Sequence, residues 1–415
     1  MSSLHRQANK VPRETVVPPR TTITLSSVEG NLIVEKNSAV KGEGTPPKVN
    51  VSGSVVCNGD CRFECSLIAD GFEGEGDITV EGDLEVKGNV EISDGQLNVI
   101  GKMNAKDVEV DRSLNVDKDL EAEHIDVGGS LEVKGSVTAQ TIDVGGSFMA
   151  FNKVKADSID VGGSVHIESR VEAKSIDVGG KAVVKGGHIE EVDVGGSFES
   201  EESLEFGSID VGGVVKLTGK NTGGDIDVGG VCKVDGDLKF RRVDVGGVAE
   251  ISGAAEGESL DVGGKVHVGS SLKLSGSLDV GGRVKVEEEL SSKEVDVGGS
   301  VEAKKVTAEN KVSVGGSITA KDGVYAHRVE IGRRGKVDGS IYADEALIRE
   351  RATVGDIHAK SIDMERRAQA RNLYGERIRL ESDCQILGEV KYTQSLETEH
   401  EVRFAKPPEK VEKLS

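Results

Sequence analysis

From Ile125 onward the apolar residues come in pairs, each split by one outward residue: Ile125 and Val127, Leu131 and Val133, Val137 and Ala139, then Ile142 and Val144. Side chains alternate sides along an extended strand, so each pair marks a short strand with both apolar groups on one face. Gly-Gly-Ser, Lys-Gly-Ser and Gln-Thr separate the pairs and read as corners. The cycle closes at Ile142, which repeats Ile125. A helix would need apolar spacing near 3.6 residues and would tolerate Gly badly, and the pattern meets neither condition.

Three strands and three corners per 16–18-residue period predict an all-β fold, a triangular single-stranded parallel β-helix. Each strand pairs with its equivalent one period later, about 4.8 Å along the axis. Six inward side chains per coil then stack in columns, each fully buried Val or Ile contributing roughly 1.5–3 kcal/mol. The same rhythm runs upstream through Leu97, Val99, Met103 and Val108, and downstream through Val329, Ile331, Ile362 and Ile378. It predicts about 22 coils and a continuous rod of roughly 100 Å over residues 21–396. Residues 1–20, with a charge of +3, and residues 397–415 are expected as flexible tails. The EGTPPK stretch at 43–48 reads as an insertion at an early corner.

Within the array at 125–316 one phrase recurs. DVGG places Asp at Asp126, Asp143, Asp160, Asp177, Asp193, Asp210, Asp227, Asp244, Asp261, Asp279 and Asp296, and SVGG follows at Ser313. With Ile and Val inward, these eleven carboxylates form one outward column. Neighbours about 4.8 Å apart repel by roughly 0.9 kcal/mol even at the dielectric of water. The expected offset is an Asx-type turn, the carboxylate accepting N–H groups of the Gly-Gly corner, with the glycines supplying φ > 0. Two alternatives stand beside it: a cation ladder, and a contact face for a basic partner or a second rod.

Composition narrows the function. A net charge of −21 argues against nucleic-acid binding. No apolar run is long enough to span a membrane, and the N-terminus lacks the apolar core of a secretory signal. Five Cys in 415 residues make no disulfide framework, which fits a cytoplasmic location. Cys57, Cys61 and Cys65 form the only cluster, a weak metal candidate because its C-x3-C-x3-C spacing lacks the CxxC pairs of zinc sites. The same register makes Cys57 and Cys61 core residues, and places Cys232 and Cys384 in core slots. His166 and His267 sit at outward positions six coils apart and cannot share an ion. No phosphate-binding loop, catalytic dyad or cofactor motif is present, and corners of two or three residues leave no substrate groove. The reading is therefore not an enzyme, with no cofactor.

Residues 328–379 are Arg-rich, with Arg333, Arg334, Arg349, Arg351, Arg366, Arg367 and Arg371 concentrated at corners. They form either a solvated surface or a basic docking face for acidic coils or anionic lipid. The +3 segment at 1–20 would give at most weak membrane attraction.

The coils at 328–392, through Val337-Asp-Gly-Ser-Ile341 and Val354-Gly-Asp-Ile357, resemble the bactofilins, a polymer-forming cytoskeletal family. A DVGG array ahead of this block and Lys406-Pro407-Pro408 after it look like the extended archaeal members. The resemblance implies a right-handed β-helix that polymerises end to end without nucleotide, often near membrane through a short N-terminal tail. It departs from the usual pattern in length and in the Asp column. The sequence thus points to a structural, self-assembling rod; a non-polymerising scaffold whose acidic face engages cations or a basic partner is the alternative.

Overall fold

The computed structural model describes residues 13–414, and every regular element among them is a strand. The strands pair in parallel and wind a β-solenoid of about 23 turns. The chain divides into two units, one ending at Gly196 and one beginning at Ser197.

One coil of the N-terminal unit shows how the pattern becomes structure. Strands His124–Val127, Ser130–Val133 and Val137–Thr138 follow one another around the coil. Each pairs with its equivalent in the next coil: Ile125 with Ile142, Leu131 with Phe148, Val137 with Val154. Ile125, Val127, Leu131, Val133 and Val137 are at most 1% exposed, while Asp126 and Thr138 face solvent. The interior is a set of stacked aliphatic columns, and burial of these columns is what offsets the cost of ordering the chain.

One expected corner is softer than anticipated. In strands Val154–Val161, Val171–Val178 and Gly187–Val194 the chain bends between two faces without leaving the ladder. The C-terminal unit does the same in Leu204–Val211, Ile341–Ile348 and Ile357–Met364.

The DVGG glycines correct the sequence reading. Their φ values lie outside the left-handed region, so the corner does not need Gly for backbone freedom. It needs Gly for space. A Cβ on Gly145 would lie 2.2 Å from the carbonyl oxygen of Gly128, and one on Gly162 would lie 2.5 Å from that of Gly145. Each Gly carbonyl points along the axis into the place where the next coil would put a side chain.

The C-terminal unit has its own space-filling device. Phe206 lies over Gly223 and Phe240 over Gly257, and a Cβ on either glycine would meet the ring at 2.3 Å. A large ring in one coil is thus accommodated by a missing side chain in the next.

The expected tails are shorter than 1–20 and 397–415. Glu14–Val17 pairs with Asn31–Glu35 and buries Val17 completely. Arg403–Phe404 pairs with Gln385–Ile386, and Glu409–Lys410 with Val390–Thr398. Burial alternates along Glu14–Val17 and from Arg403 to Phe404, whereas Glu409 and Lys410 pair while both exposed. Residues 1–12 lie outside the described residues. The EGTPPK insertion forms a small loop closed by a bridge between Glu43 and Lys48, and it lengthens its coil so that Leu32 pairs with Val55.

Candidate functional surfaces

The repeated Asp residues do stack. In the N-terminal unit Asp126, Asp143, Asp160, Asp177 and Asp193 are in direct register, all exposed. Glu109, Glu91 and Glu73 extend the same column below Asp126. In the C-terminal unit Asp210, Asp227, Asp244, Asp261, Asp279 and Asp296 stack likewise, followed by Ser313 and Glu330.

The expected Asx turn is not formed. The corner N–H groups are already spent on the preceding coil: Gly145 donates to the Val127 carbonyl and Gly146 to that of Gly129, both at 2.9 Å. Among the described residues none of the eleven carboxylates accepts a hydrogen bond or makes an ion pair. The cost shows at three of them, Asp177, Asp227 and Asp261. Partial burial, and then repulsion from Asp160 and Asp193, raise Asp177 above the usual carboxylate range. Asp227 between Asp210 and Asp244, and Asp261 between Asp244 and Asp279, are raised for the same reasons. Asp119, off the column, behaves oppositely: Lys102 and the Ser136 N–H hold it low.

The Arg-rich surface is largely neutralised from within. Arg349 bridges Glu330 and Glu365 at 2.7 Å each. Arg333 and Arg351 approach Glu350 at 3.9 and 3.7 Å, Arg367 approaches Asp383 at 3.4 Å, and Arg371 clasps Asp356. Arg334 and Arg366 make no ion pair among the described residues. Arg334, Arg351 and Arg367 occupy corners with φ of 58°, 60° and 61°, stacked one per coil. Of these three, Arg367 meets a carboxylate of the next coil and Arg351 that of its chain neighbour Glu350.

The three clustered thiols are core residues. Cys57, Cys61 and Cys65 are 1%, 5% and 2% exposed, so Cys65 joins the two expected inside. Cys61 donates weakly to the Val34 carbonyl at 3.6 Å and Cys65 to that of Val40 at 3.9 Å. A hydrogen bond from Cys57 lowers Cys61, while burial pushes Cys57 well up. Cys232 and Cys384 are buried as expected, and burial pushes Cys232 up to about 12. The one convergent group of metal-type donors among the described residues lies elsewhere, at Asp107, Glu123 and His124. His166 and His267 are surface residues beside Glu168 and Glu287.

A further feature escaped the sequence reading. Tyr325, Tyr342, His358 and Tyr374 stack ring on ring, with centroids 4.8, 5.0 and 4.6 Å apart. They share one outward register position in successive coils. Their recurrence once per coil was a readable signal, but attention to inward positions passes over it. Burial lowers the pKa of His358 below the usual imidazole value, against the opposing pull of Asp356.

No family model matches the chain, and comparisons with curated proteins and with solved structures find no match. No helix among the described residues is long and apolar enough to cross a membrane. The β-solenoid scaffold, compatible with a structural role, therefore stands on the sequence pattern and the geometry alone.

Proposed function

We propose that the protein is a structural element of bactofilin type, a β-helical scaffold that assembles end to end into filaments without nucleotide or other cofactor and performs no catalysis. The observation that carries this reading is the state of the terminal windings. Leu396 and Phe404 continue the buried columns of Ile378 and Ile386, yet both are only half-buried. Ile23, which stacks on the fully buried Val40, is half-buried as well. Inward apolar side chains and unpaired strand edges at the ends of a parallel ladder favour addition of another coil. The bactofilin-like rhythm of 328–392 supports the same reading; a cytoplasmic location, with weak membrane association through residues 1–20, belongs to the same proposal.

A second reading is favoured by the unpaired Asp column, which would suit cations or a basic partner on a scaffold that does not polymerise. Negative-stain electron microscopy of the purified chain at low and moderate salt separates the two. Long filaments without nucleotide support assembly through the ends. Discrete particles at every concentration overturn it and leave the scaffold.

A further inference from the structure

From the cluster at one corner of the N-terminal unit we infer that Asp107, Glu123 and His124 form a binding site for a divalent transition-metal ion of the zinc type. Asp107 and His124 face each other in direct register on adjacent coils, and Glu123 precedes His124. One donor atom from each residue lies within 4.8 Å of the other two. The N–H groups of both Glu123 and His124 donate to the Lys106 carbonyl, at 2.7 and 3.2 Å, which fixes the roots of these side chains beside Asp107.

Two observations bear on the charge balance at this corner. Oδ1 of Asp107 is shielded from solvent and accepts no hydrogen bond, an arrangement that costs free energy until something positive meets it. The nearest protein cation, Lys106, stands 3.5 Å from Oδ2. The equivalent corner of the C-terminal unit shows what completes such a position with protein groups alone. There Asp225 lies in register with Arg242, and the Arg241 guanidinium hydrogen-bonds its carboxylate. Asp225 also keeps its Oδ1 without a hydrogen bond, so the two corners share that feature and differ in the side chains that the coil above supplies. At Asp107 the coil above supplies Glu123 and His124 where the C-terminal unit has Arg241 and Arg242, of which Arg241 hydrogen-bonds Asp225.

The donor set selects the metal class. One imidazole with two carboxylates suits Zn²⁺ and its first-row neighbours, whereas Ca²⁺ and Mg²⁺ favour all-oxygen shells. Thr141 Oγ1 lies 2.8 Å from Nδ1 of His124. That contact orients the ring and leaves Nε2 for the ion, as second-shell partners of metal-bound His commonly do. Ligands about 2.1 Å from a tetrahedral ion are ~3.4 Å apart, so a modest rotation of the exposed Glu123 closes the site. Water fills the remaining position.

Titration calorimetry of the full chain with ZnCl₂ tests this. One equivalent should bind, and Asp107→Asn, Glu123→Gln and His124→Gln should each weaken binding at least tenfold, while His166→Gln leaves it unchanged. No binding by the native chain, or equal binding by all variants, overturns the site. Ni²⁺ broadening of histidine ring signals in the native chain decides the matter should a variant misfold. Selective loss of the His124 signal supports the site, and uniform loss across the histidines refutes it.

Discussion

Asp160 and Asp177 stand directly opposite each other on adjacent coils, and neither carboxylate accepts a hydrogen bond or meets a cation. Asp177 is held above the usual carboxylate range by partial burial and by its neighbours Asp160 and Asp193. A raised pKa in the folded state means that the folded chain binds the proton more tightly than the unfolded chain does. Stability from this group therefore rises as pH falls through the folded pKa, and the charged form is a liability at neutral pH. Asp177→Asn should stabilise the chain at pH 7 by about 0.2–1 kcal/mol, the range for directly opposed side chains on paired strands. Urea unfolding across the acid range should show that gain shrinking toward zero as Asp177 protonates in the native chain. A gain that is constant with pH would mean that charge repulsion is not its source.

Asp356 gives the opposite sign. Arg371 donates to it through Nε at 2.7 Å and Asn372 through Nδ2 at 2.8 Å, and its side chain is only 17% exposed. The Arg371 hydrogen bond holds its pKa below the usual range. Such a group contributes stability above its unfolded pKa and loses it as pH falls through the folded value. Asp356→Ala should cost about 1–3 kcal/mol at neutral pH, the scale for hydrogen bonds to a charged group. The penalty should narrow in acid, where the native carboxylate itself is protonated. Paired measurements of Asp177→Asn and Asp356→Ala over one pH series would show both gaps closing, from opposite sides.

The glycine corner makes a steric prediction. Because a Cβ on Gly145 would press on the Gly128 carbonyl at 2.2 Å, Gly145→Ala must push two coils apart or tilt a peptide. Backbone oxygen cannot swing aside as a side-chain end can. The substitution should destabilise by about 1–3 kcal/mol, the usual cost of overpacking. Ala at Gly44, where φ is +94° and the nearest atom is 3.5 Å away, is strained by its backbone instead. A D-alanine placed by chemical ligation at Gly44 suits its positive φ and should recover the stability that L-alanine loses there, which thermal unfolding can read.

These positions also show what the sequence made legible. Period-2 pairs repeated once per coil determine which side chains face inward, because only one placement buries Ile125, Val127, Leu131 and Val133 together. The coil, its register and the outward Asp column all follow from that alternation. The reason for the glycines did not follow. A corner that needs φ > 0 and one that needs an empty Cβ position both call for Gly, and sequence does not distinguish them. The same limit hid the cluster at Asp107, Glu123 and His124: its members belong to adjacent coils, and no short motif unites them. Outward carboxylates read alike whether a neighbouring coil returns Arg371, as at Asp356, or nothing, as at Asp177.

The pairing of Phe240 with Gly257 yields the sharpest test of packing between coils. The ring occupies the volume that a Cβ on Gly257 would need, with its Cε2 atom 2.3 Å from that position. Gly257→Ala alone should cost about 1–3 kcal/mol through overpacking. Phe240→Ala alone should cost about 3–5 kcal/mol through the lost ring and the cavity left behind. Together the two changes should cost less than their sum, since the methyl group then enters space that the ring has vacated. Residues in contact couple by about 0.5–3 kcal/mol, so a double-mutant cycle in urea should return a favourable coupling in that range. Strict additivity would show that Gly257 is not there to seat the ring, and the apparent complementarity of the two coils would have no energetic weight.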